Sequence, residues 1–264
     1  MPLNTVWTRK FFTGLLFILL FFVFGLGFLT GDRYGQSIPV INRRLVPIYR
    51  VEREDKKIAI TLDGTWGAKY TEDILSILEE NDVQLTFFFA GYWLEKYSEL
   101  TETIADAGHE VENHTYTHPH CNSLSQSKIE KELESTSDLI QQFTGRKPRF
   151  FRPPFGEYND RLISTARSLD YQVVQWSLDS LDWKEPGENF IVNRILENVS
   201  PGEIILMHNN APDTPGALER LLPELKERGY EIVPLSRLIY SKNYDIQSHN
   251  GLQIKVKRGG RKND

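Results

Sequence analysis

Five clusters of polar side chains could do chemistry together, because each follows an apolar stretch that has the length of a β-strand. In chain order, the clusters carry Asp63, the pair His114 and His118, Arg152, Asp182 and His208. Histidines four residues apart can bind one metal ion. A carboxylate can act as a base, and a further histidine can act as an acid. Together with an arginine, these groups at one rim indicate metal-assisted hydrolysis.

An alternation of strands and helices must position these clusters. Apolar stretches with the length of strands cover residues 57–62, 85–90, 109–113, 149–151, 172–176, 203–207 and 230–235. Stretches with the apolar spacing of helices lie between them, at residues 71–80, 93–106, 125–143, 160–169, 188–198 and 213–228. This alternation predicts an α/β fold of parallel βαβ units, in a barrel or in a doubly wound sheet. In both architectures the site forms at the carboxyl ends of the strands.

The composition is that of a globular protein with an acidic middle. The 264 residues are 40% hydrophobic and 25% charged, which excludes wholesale disorder and fibrous repeats. Residues 58–240 carry a net charge of −14, against +5 for residues 1–57 and +4 for residues 241–264. So acidic a domain would repel a phosphate backbone, and we expect no nucleic-acid partner. The single cysteine, Cys121, excludes a disulfide framework and a Cys-rich metal module.

The N-terminal segment predicts a membrane anchor. Residues 11–29 are 19 consecutive residues without a charge, directly after Arg9 and Lys10. At ~1.5 Å per residue they span roughly 28 Å, about the thickness of the hydrocarbon core of a bilayer. A cleaved signal peptide is the alternative, but the apolar run is longer than usual and no clear A-x-A site follows it. With Arg9 and Lys10 in the cytoplasm, the rest of the chain would lie outside the cell.

These patterns divide the chain into four parts. Residues 1–30 are predicted to be a signal anchor, which would make the chain a single-pass protein of the cell membrane, and residues 31–55 a linker. Residues 56–240 are the predicted catalytic domain, on the extracellular side. Residues 241–264, which contain the sequence KVKRGGRK, are predicted to be a basic, disordered tail.

The five clusters resemble, in order, the five motifs of the polysaccharide deacetylases of carbohydrate esterase family 4, whose common unit is the NodB homology domain. TLDGTWG resembles the family's T-F-D-D-G, HTYTHP its H-[ST]-x-x-H-P, RPPFG its R-P-P-[YF]-G, DSLDW its D-x-x-D-W and ILMH its [IL]-x-x-H. The resemblance covers residues 56–240. It implies a distorted (β/α)7 barrel that removes acetyl groups from N-acetylated sugars. Trp66 and Gly67 resemble the branch that is associated with Gram-positive sporulation and cell-wall modification.

The resemblance also implies roles for individual residues. Asp63 matches the catalytic base, and Arg152 matches the arginine that orients it. His208 matches the general acid that protonates the leaving amine, because an amine leaves badly as an anion. Asp182 would hold His208 charged and oriented, with Asp179 as a second candidate. The substrate groove, which includes a backbone N–H for the oxyanion, would be lined by Phe155, Trp183 and Leu206.

His114 and His118 match the family's two histidine ligands of a divalent metal, for which zinc is the expected ion. The ion would polarise the acetamide carbonyl and lower the pKa of its bound water. The sequence departs from the family at Gly64, where a second aspartate usually supplies the third ligand. Three readings stay open: extra waters complete the site, Asp63 itself binds the ion, or the protein is catalytically weak.

The leading hypothesis is a metal-dependent, membrane-anchored deacetylase that acts on an extracellular N-acetylated polysaccharide, with peptidoglycan favoured. An esterase that removes O-acetyl groups would use the same site, because a leaving alkoxide also needs an acid. A non-catalytic glycan-binding relic is the alternative that Gly64 suggests. Against it stands the retention of a base and an acid, which a binding domain does not need.

Overall fold

Parallel β-strands run through the centre of the fold, and helices pack against them. The computed structural model describes residues 44–256. The strands are β1 (Arg50–Val51), β2 (Lys57–Gly64), β3 (Thr86–Phe89), β4 (Glu110–Asn113), β5 (Phe150–Phe151), β6 (Gln172–Val173), β7 (Leu178–Asp179), β8 (Ile204–His208), β9 (Glu231–Ile232), β10 (Tyr244–Ile246) and β11 (Leu252–Lys255). The α-helices are α1 (Thr71–Glu80), α2 (Gly91–Lys96), α3 (Ser98–Asp106), α4 (Gln126–Thr144), α5 (Asp160–Ser168), α6 (Glu188–Asn198), α7 (Thr214–Glu227) and α8 (Leu235–Leu238).

Within the described residues, the main sheet consists of eight parallel strands. Seven follow the order β6-β5-β4-β3-β2-β8-β7, and β9 pairs with the first residues of β2. All seven strands that the sequence predicts are therefore present, as β2 to β6, β8 and β9. Because the strands are parallel, their carboxyl ends meet at one edge of the sheet.

Successive residues of β2 face two different cores, because side chains alternate between the two faces of a strand. Ile58, Ile60 and Leu62 face the helices and join a large apolar cluster with residues of α1 and α7. Ala59 faces the inner side of the sheet and joins Phe88 there. A strand that is buried on both faces reads as a nearly continuous apolar run, as KIAITL does.

The sheet forms a half-barrel rather than a barrel that closes through its own strands. In the range 44–256 no strand ladder joins the two edge strands β6 and β7. Ile48 lies beside β6 instead, where its N–H donates to the carbonyl of Val173 (2.9 Å) and its carbonyl accepts from the N–H of Gln175 (2.8 Å). This segment covers an edge that would otherwise expose unpaired backbone groups. The architecture is consistent with the predicted (β/α) deacetylase fold, but the expected closure by seven β/α units is not formed by strand pairing.

A second, small sheet joins the two ends of the described chain. Its order is β1-β11-β10, with β1 parallel and β10 antiparallel to β11. Val46, Ile48 and Val51, which precede the main sheet, are buried. The prediction of a linker over residues 31–55 is therefore wrong from residue 44 onwards, because this segment supplies apolar side chains to the core.

The prediction of a disordered tail is wrong for the residues of β10 and β11. The physical reason lies in Gln253, whose side chain is fully buried. Its amide accepts from the N–H of Tyr240 (2.9 Å) and donates to the carbonyl of the same residue (2.8 Å), so burial leaves the polar group paired. Residues 257–264 lie outside the described range.

The predicted membrane anchor, residues 1–30, also lies outside the described range, as do residues 31–43 of the predicted linker. Among residues 44–256, no helix has the length and the apolar character that crossing a membrane requires.

Candidate active site

The side chains singled out in the sequence lie together at the carboxyl edge of the main sheet. Asp63 is the last residue but one of β2, His208 is the last residue of β8, and the two are paired residues of these neighbouring strands. His114 directly follows β4, and Arg152 directly follows β5. Residues that are far apart in the chain therefore project from one rim, as the alternation of strands and helices predicts.

Asp63 and Arg152 form a buried ion pair. Arg152 Nη1 donates to Asp63 Oδ1 at 2.7 Å, and neither side chain is more than 7% exposed. The guanidinium also lies over the ring of Phe88, 4.2 Å from its centroid. Burial acts to raise the pKa of Asp63, but the positive charge and the hydrogen bond of Arg152, with a contribution from the charge of His208, outweigh it, so the net pKa is lowered. The carboxylate is therefore held ionised.

His208 and Asp182 form a second pair, in which the catalytic candidate is the positively charged member. His208 Nδ1 lies 2.7 Å from Asp182 Oδ1, and Asp182 Oδ2 accepts from the N–H of His208 and from the hydroxyl of Thr214, each at 2.7 Å. Burial acts to lower the pKa of His208, but the hydrogen bond and charge of Asp182 outweigh it, so the net pKa is raised. The ring is 31% exposed, with Nε2 left to act in the cleft.

Asp179 does not share this role. Its Oδ1 accepts from the N–H of Leu181 at 2.8 Å, which closes the turn that leads to Asp182. Leu181 itself has a left-handed backbone, with φ 62°. Of the two aspartates considered in the sequence, only Asp182 contacts His208 in the described structure.

The tautomer of His114 is set by its surroundings. His114 Nδ1 lies 2.7 Å from the carbonyl oxygen of Arg152, and a carbonyl can only accept, so Nδ1 carries the proton. Nε2 is then unprotonated, and it lies 3.7 Å from Asp63 Oδ2. Burial lowers the pKa of His114, which keeps the ring neutral. This is the state in which a histidine binds a metal.

His118 is also neutral, and it is the less satisfied of the two histidines. Burial, with a contribution from His114, lowers its pKa to about 3. Its Nδ1 is buried and has no hydrogen-bond partner among residues 44–256. Its backbone is left-handed, with φ 54°, and the centroid of its ring lies 4.9 Å from that of His114. An unpaired buried nitrogen on a strained residue is typical of functional sites.

These donors do not complete the metal site that the resemblance implies. Catalytic zinc usually has three protein ligands. His114 and His118 supply two nitrogens, and position 64 has no side chain. Within residues 44–256, no three His, Cys, Asp or Glu side chains are grouped so that they could hold one ion. The residues present therefore do not fit a three-ligand divalent site, and zinc binding stays a prediction.

The turn RPPFG presents an aromatic ring to the rim. Phe155 has φ 58°, which is uncommon for a bulky residue, and it stands between Pro154 and Gly156. Its ring contacts the ring of His118 edge to face, with centroids 4.5 Å apart, and stacks on His120 at 4.3 Å. The strained turn thus places Phe155 beside the predicted metal ligands.

A cleft of about 770 Å³ is lined by the acidic residues and histidines of this rim, namely Asp63, His114, His118, Asp179, Asp182 and His208. Three aromatic side chains of the cleft are more than half exposed: Trp66, Phe155 and Trp183. The predicted substrate residue Leu206 is also part of the lining. Exposed aromatic rings around a few polar groups are typical of a small-molecule or sugar site. Trp66 is a cleft residue that the motifs did not predict, although its place three residues after Asp63 is a signal for one.

Comparisons with known proteins identify the family. Residues 50–174 match the polysaccharide deacetylase family. A peptidoglycan-N-acetylglucosamine deacetylase of Bacillus cereus is 34% identical over 200 residues, which cover 74% of this chain and 93% of that protein. The chain belongs to the polysaccharide deacetylases of carbohydrate esterase family 4, and the prediction from the five motifs is confirmed.

Two further relatives show how varied this family is. The uncharacterized protein YlxY of Bacillus subtilis is 34% identical over 209 residues, which cover 78% of this chain and 65% of that protein, so this chain spans less than two thirds of its length. The crystal structure of BA3943 from Bacillus anthracis, described as a CE4 family pseudoenzyme, has a TM-score of 0.71 and 35% identity, covering 73% of this chain and 68% of that chain. Membership of the family therefore does not decide whether a protein is catalytically active.

Proposed function

We propose that this chain removes N-acetyl groups from an extracellular glycan, with peptidoglycan as the favoured substrate. The observation that carries the proposal is that two ion pairs meet at one cleft. In one, the carboxylate of Asp63 pairs with Arg152; in the other, the imidazole of His208 pairs with Asp182. A relative named as a peptidoglycan-N-acetylglucosamine deacetylase supports this substrate. Hydrolysis needs both a base and an acid, whereas binding alone needs neither.

The residues of the chain account for the proton transfers of an amide hydrolysis. Asp63, held ionised by Arg152, accepts a proton from the water that attacks the acetamide carbon. The backbone N–H of Phe155 donates to the oxyanion that forms. His208, held protonated by Asp182, gives its proton to the amide nitrogen as the C–N bond breaks. Acetate and a free amine are the products.

Binding of the glycan without hydrolysis is the second candidate. One observation favours it, which is that Gly64 leaves the two histidines without a third ligand. The pseudoenzyme BA3943 supports it as well, since that relative is 35% identical to this chain over the aligned residues. Both candidates use the same cleft, and they differ in turnover.

Acetate release and glycan binding, measured on one preparation, separate the candidates. The substrates are peptidoglycan, N-acetylglucosamine oligomers and an O-acetylated polysaccharide. We expect acetate release from the first two, its loss in His208→Ala, and its retention in His249→Ala, a matched change at an exposed histidine between β10 and β11. Release from the O-acetylated substrate alone would identify an esterase. Binding without release from any substrate would favour the second candidate, and neither binding nor release would contradict both.

We also propose that the domain lies outside the cell and is anchored to the membrane by residues 1–30. The uncharged run at residues 11–29 supports it. The full-length protein should fractionate with membranes and resist extraction by high salt, and protease added to intact protoplasts should digest the domain. A soluble product that starts near residue 31 would show a cleaved signal peptide instead.

A further inference from the structure

We propose that Phe89 takes the place of the missing metal ligand. Its ring fills the space that any side chain at position 64 needs, so the site can gain a ligand there only when residues 64 and 89 change together. The inference deepens the proposed function and rests on it, because it concerns the ligand set of the same cleft. It also assigns a role to a buried aromatic residue that belongs to none of the five motifs.

Gly64 and Phe89 face each other across two neighbouring strands. They are paired residues of β2 and β3. A Cβ atom added at position 64 would lie 2.2 Å from Cδ1 and 2.3 Å from Cε1 of Phe89. Neither distance is compatible with the van der Waals radii of two carbon atoms. Gly64 is not among the residues with a left-handed backbone, so glycine is required here for space and not for conformation.

The ring of Phe89 has no room to move aside. Phe89 is fully buried in the core between the sheet and the helices. Its ring stacks face to face on Trp93, with centroids 3.8 Å apart and planes at 4°, and lies 5.6 Å from the ring of Phe87. The indole of Trp93 is fixed in turn, since its Nε1 donates to the carbonyl of Gly67 at 2.8 Å. In a close-packed interior a side chain at position 64 would have to displace this whole stack.

The same residue also lies next to a predicted metal ligand. The carbonyl of Phe89 accepts from the N–H of His114 at 3.1 Å. Position 64 adjoins Asp63, whose Oδ2 lies 3.7 Å from His114 Nε2. Position 64, from which a third ligand would come, therefore lacks a carboxylate and is also blocked by the ring of Phe89. Adding the carboxylate alone should therefore fail.

Zinc affinity of the full-length protein in detergent tests the inference, measured by titration calorimetry with Zn²⁺ and by metal content. The variants are Gly64→Asp, Phe89→Val and the double variant. Valine lacks the δ and ε carbons that block position 64. Gly64→Asp alone should bind zinc no better than wild type and should melt lower. The double variant should bind zinc ~10–100-fold more tightly than Phe89→Val, the range typical for a ligand-shell residue. Phe87→Val, combined with Gly64→Asp, is the matched control and should give no gain.

Melting temperatures of alanine variants test the packing without any ligand. Gly64→Ala should lower the melting temperature strongly in wild type and much less in Phe89→Val. An equal loss in both backgrounds would overturn the proposal, even where the aspartate variants fold poorly. A gain of stoichiometric zinc in Gly64→Asp alone would overturn it, as would a folded double variant with no gain over Phe89→Val. Glycan binding and acetate release by wild type are measured separately. If the proposed function fails, the zinc affinities and melting temperatures still show whether residues 64 and 89 are coupled.

Discussion

Asp63 and His208 are directly paired residues of β2 and β8, so the proposed base and the proposed acid come from one residue pair of the sheet. Their partners reach them from other parts of the chain, Arg152 from the end of β5 and Asp182 from the segment after β7. These partners move the two pKa values in opposite directions, down for Asp63 and up for His208. Such a separation allows one site to hold an ionised carboxylate and a protonated imidazole at the same pH.

Replacing Asp182 with asparagine should lower the pKa of His208. The negative charge of Asp182 outweighs burial in the folded protein, and a neutral amide would remove that charge. NMR of the imidazole over a pH series measures the shift. On the alkaline side, hydrolysis should be lost at a lower pH than in wild type, since the acid would deprotonate sooner. Asp179→Asn should shift the pKa less, and an unchanged pKa in Asp182→Asn would contradict the role of the pair.

Replacing Arg152 with methionine should destabilise the fold by about 3–5 kcal/mol. The change leaves the carboxylate of Asp63 buried and without its partner, which costs more than the loss of an exposed contact. Urea unfolding gives the free energy of unfolding. The matched control is Arg228→Met, which breaks an exposed pair with Glu224 and should cost no more than about 1 kcal/mol. Equal losses in the two variants would show that the Asp63–Arg152 pair has no special weight.

Replacing Trp66 with alanine should weaken glycan binding and leave the melting temperature unchanged. The ring lines the cleft and is 66% exposed, so it contributes little to the core. Tryptophan is enriched among the few contact residues whose loss costs more than about 1 kcal/mol, which is about fivefold in affinity. Sedimentation with insoluble peptidoglycan measures the effect. Phe190→Ala removes another exposed aromatic outside the cleft, and binding should survive it; similar losses in both variants would mean that Trp66 is not a contact residue.

Because of Glu112, we expect the stability of the folded protein to fall as the pH rises. Burial raises the pKa of this carboxyl to about 8, although it accepts from the N–H groups of Arg149 and Phe150 at 2.7 Å each. The folded protein keeps a proton that the unfolded chain releases near its ordinary pKa of about 4.3. Stability from this group is therefore present at low pH and is lost as the pH rises towards 8. Glu112→Gln should flatten the dependence of melting temperature on pH, and parallel curves for both proteins would contradict the raised pKa.

Strong apolar patterns predicted most of the main sheet and its helices. The helices at residues 71–80 and 188–198 have the bounds that the spacing of their apolar residues predicts. The stretch 93–106 was predicted as one helix, but it is split at Tyr97, where ψ is 46°. The strand Leu178–Asp179 is too short to show an alternation of apolar and polar residues. The polar residues of β11 interrupt its apolar ones, so no strand was predicted there. Both are fixed by contacts with distant parts of the chain.

The candidate site, like the fold, could be predicted from the sequence only in part. The motifs predicted which side chains gather at the rim, because each motif follows a strand. They did not predict that Gly64 is closed by Phe89, since that contact depends on the register between β2 and β3. From the sequence, position 64 only lacks a carboxylate; in the structure, the ring of Phe89 fills the space that a side chain there would need. Register is a property of the folded sheet and cannot be read from either segment alone.

The pairing of β1 with β11 decides how far a shortened version of the domain must extend. The family match ends at residue 174, and the charge pattern suggested an end at residue 240. A protein that stops at residue 240 would lose the strand that pairs with Arg50–Val51, and with it the amide of Gln253 that satisfies the backbone of Tyr240. Fragments for crystallisation or for display on a cell surface should therefore run from residue 44 to residue 256, and tags belong beyond those ends.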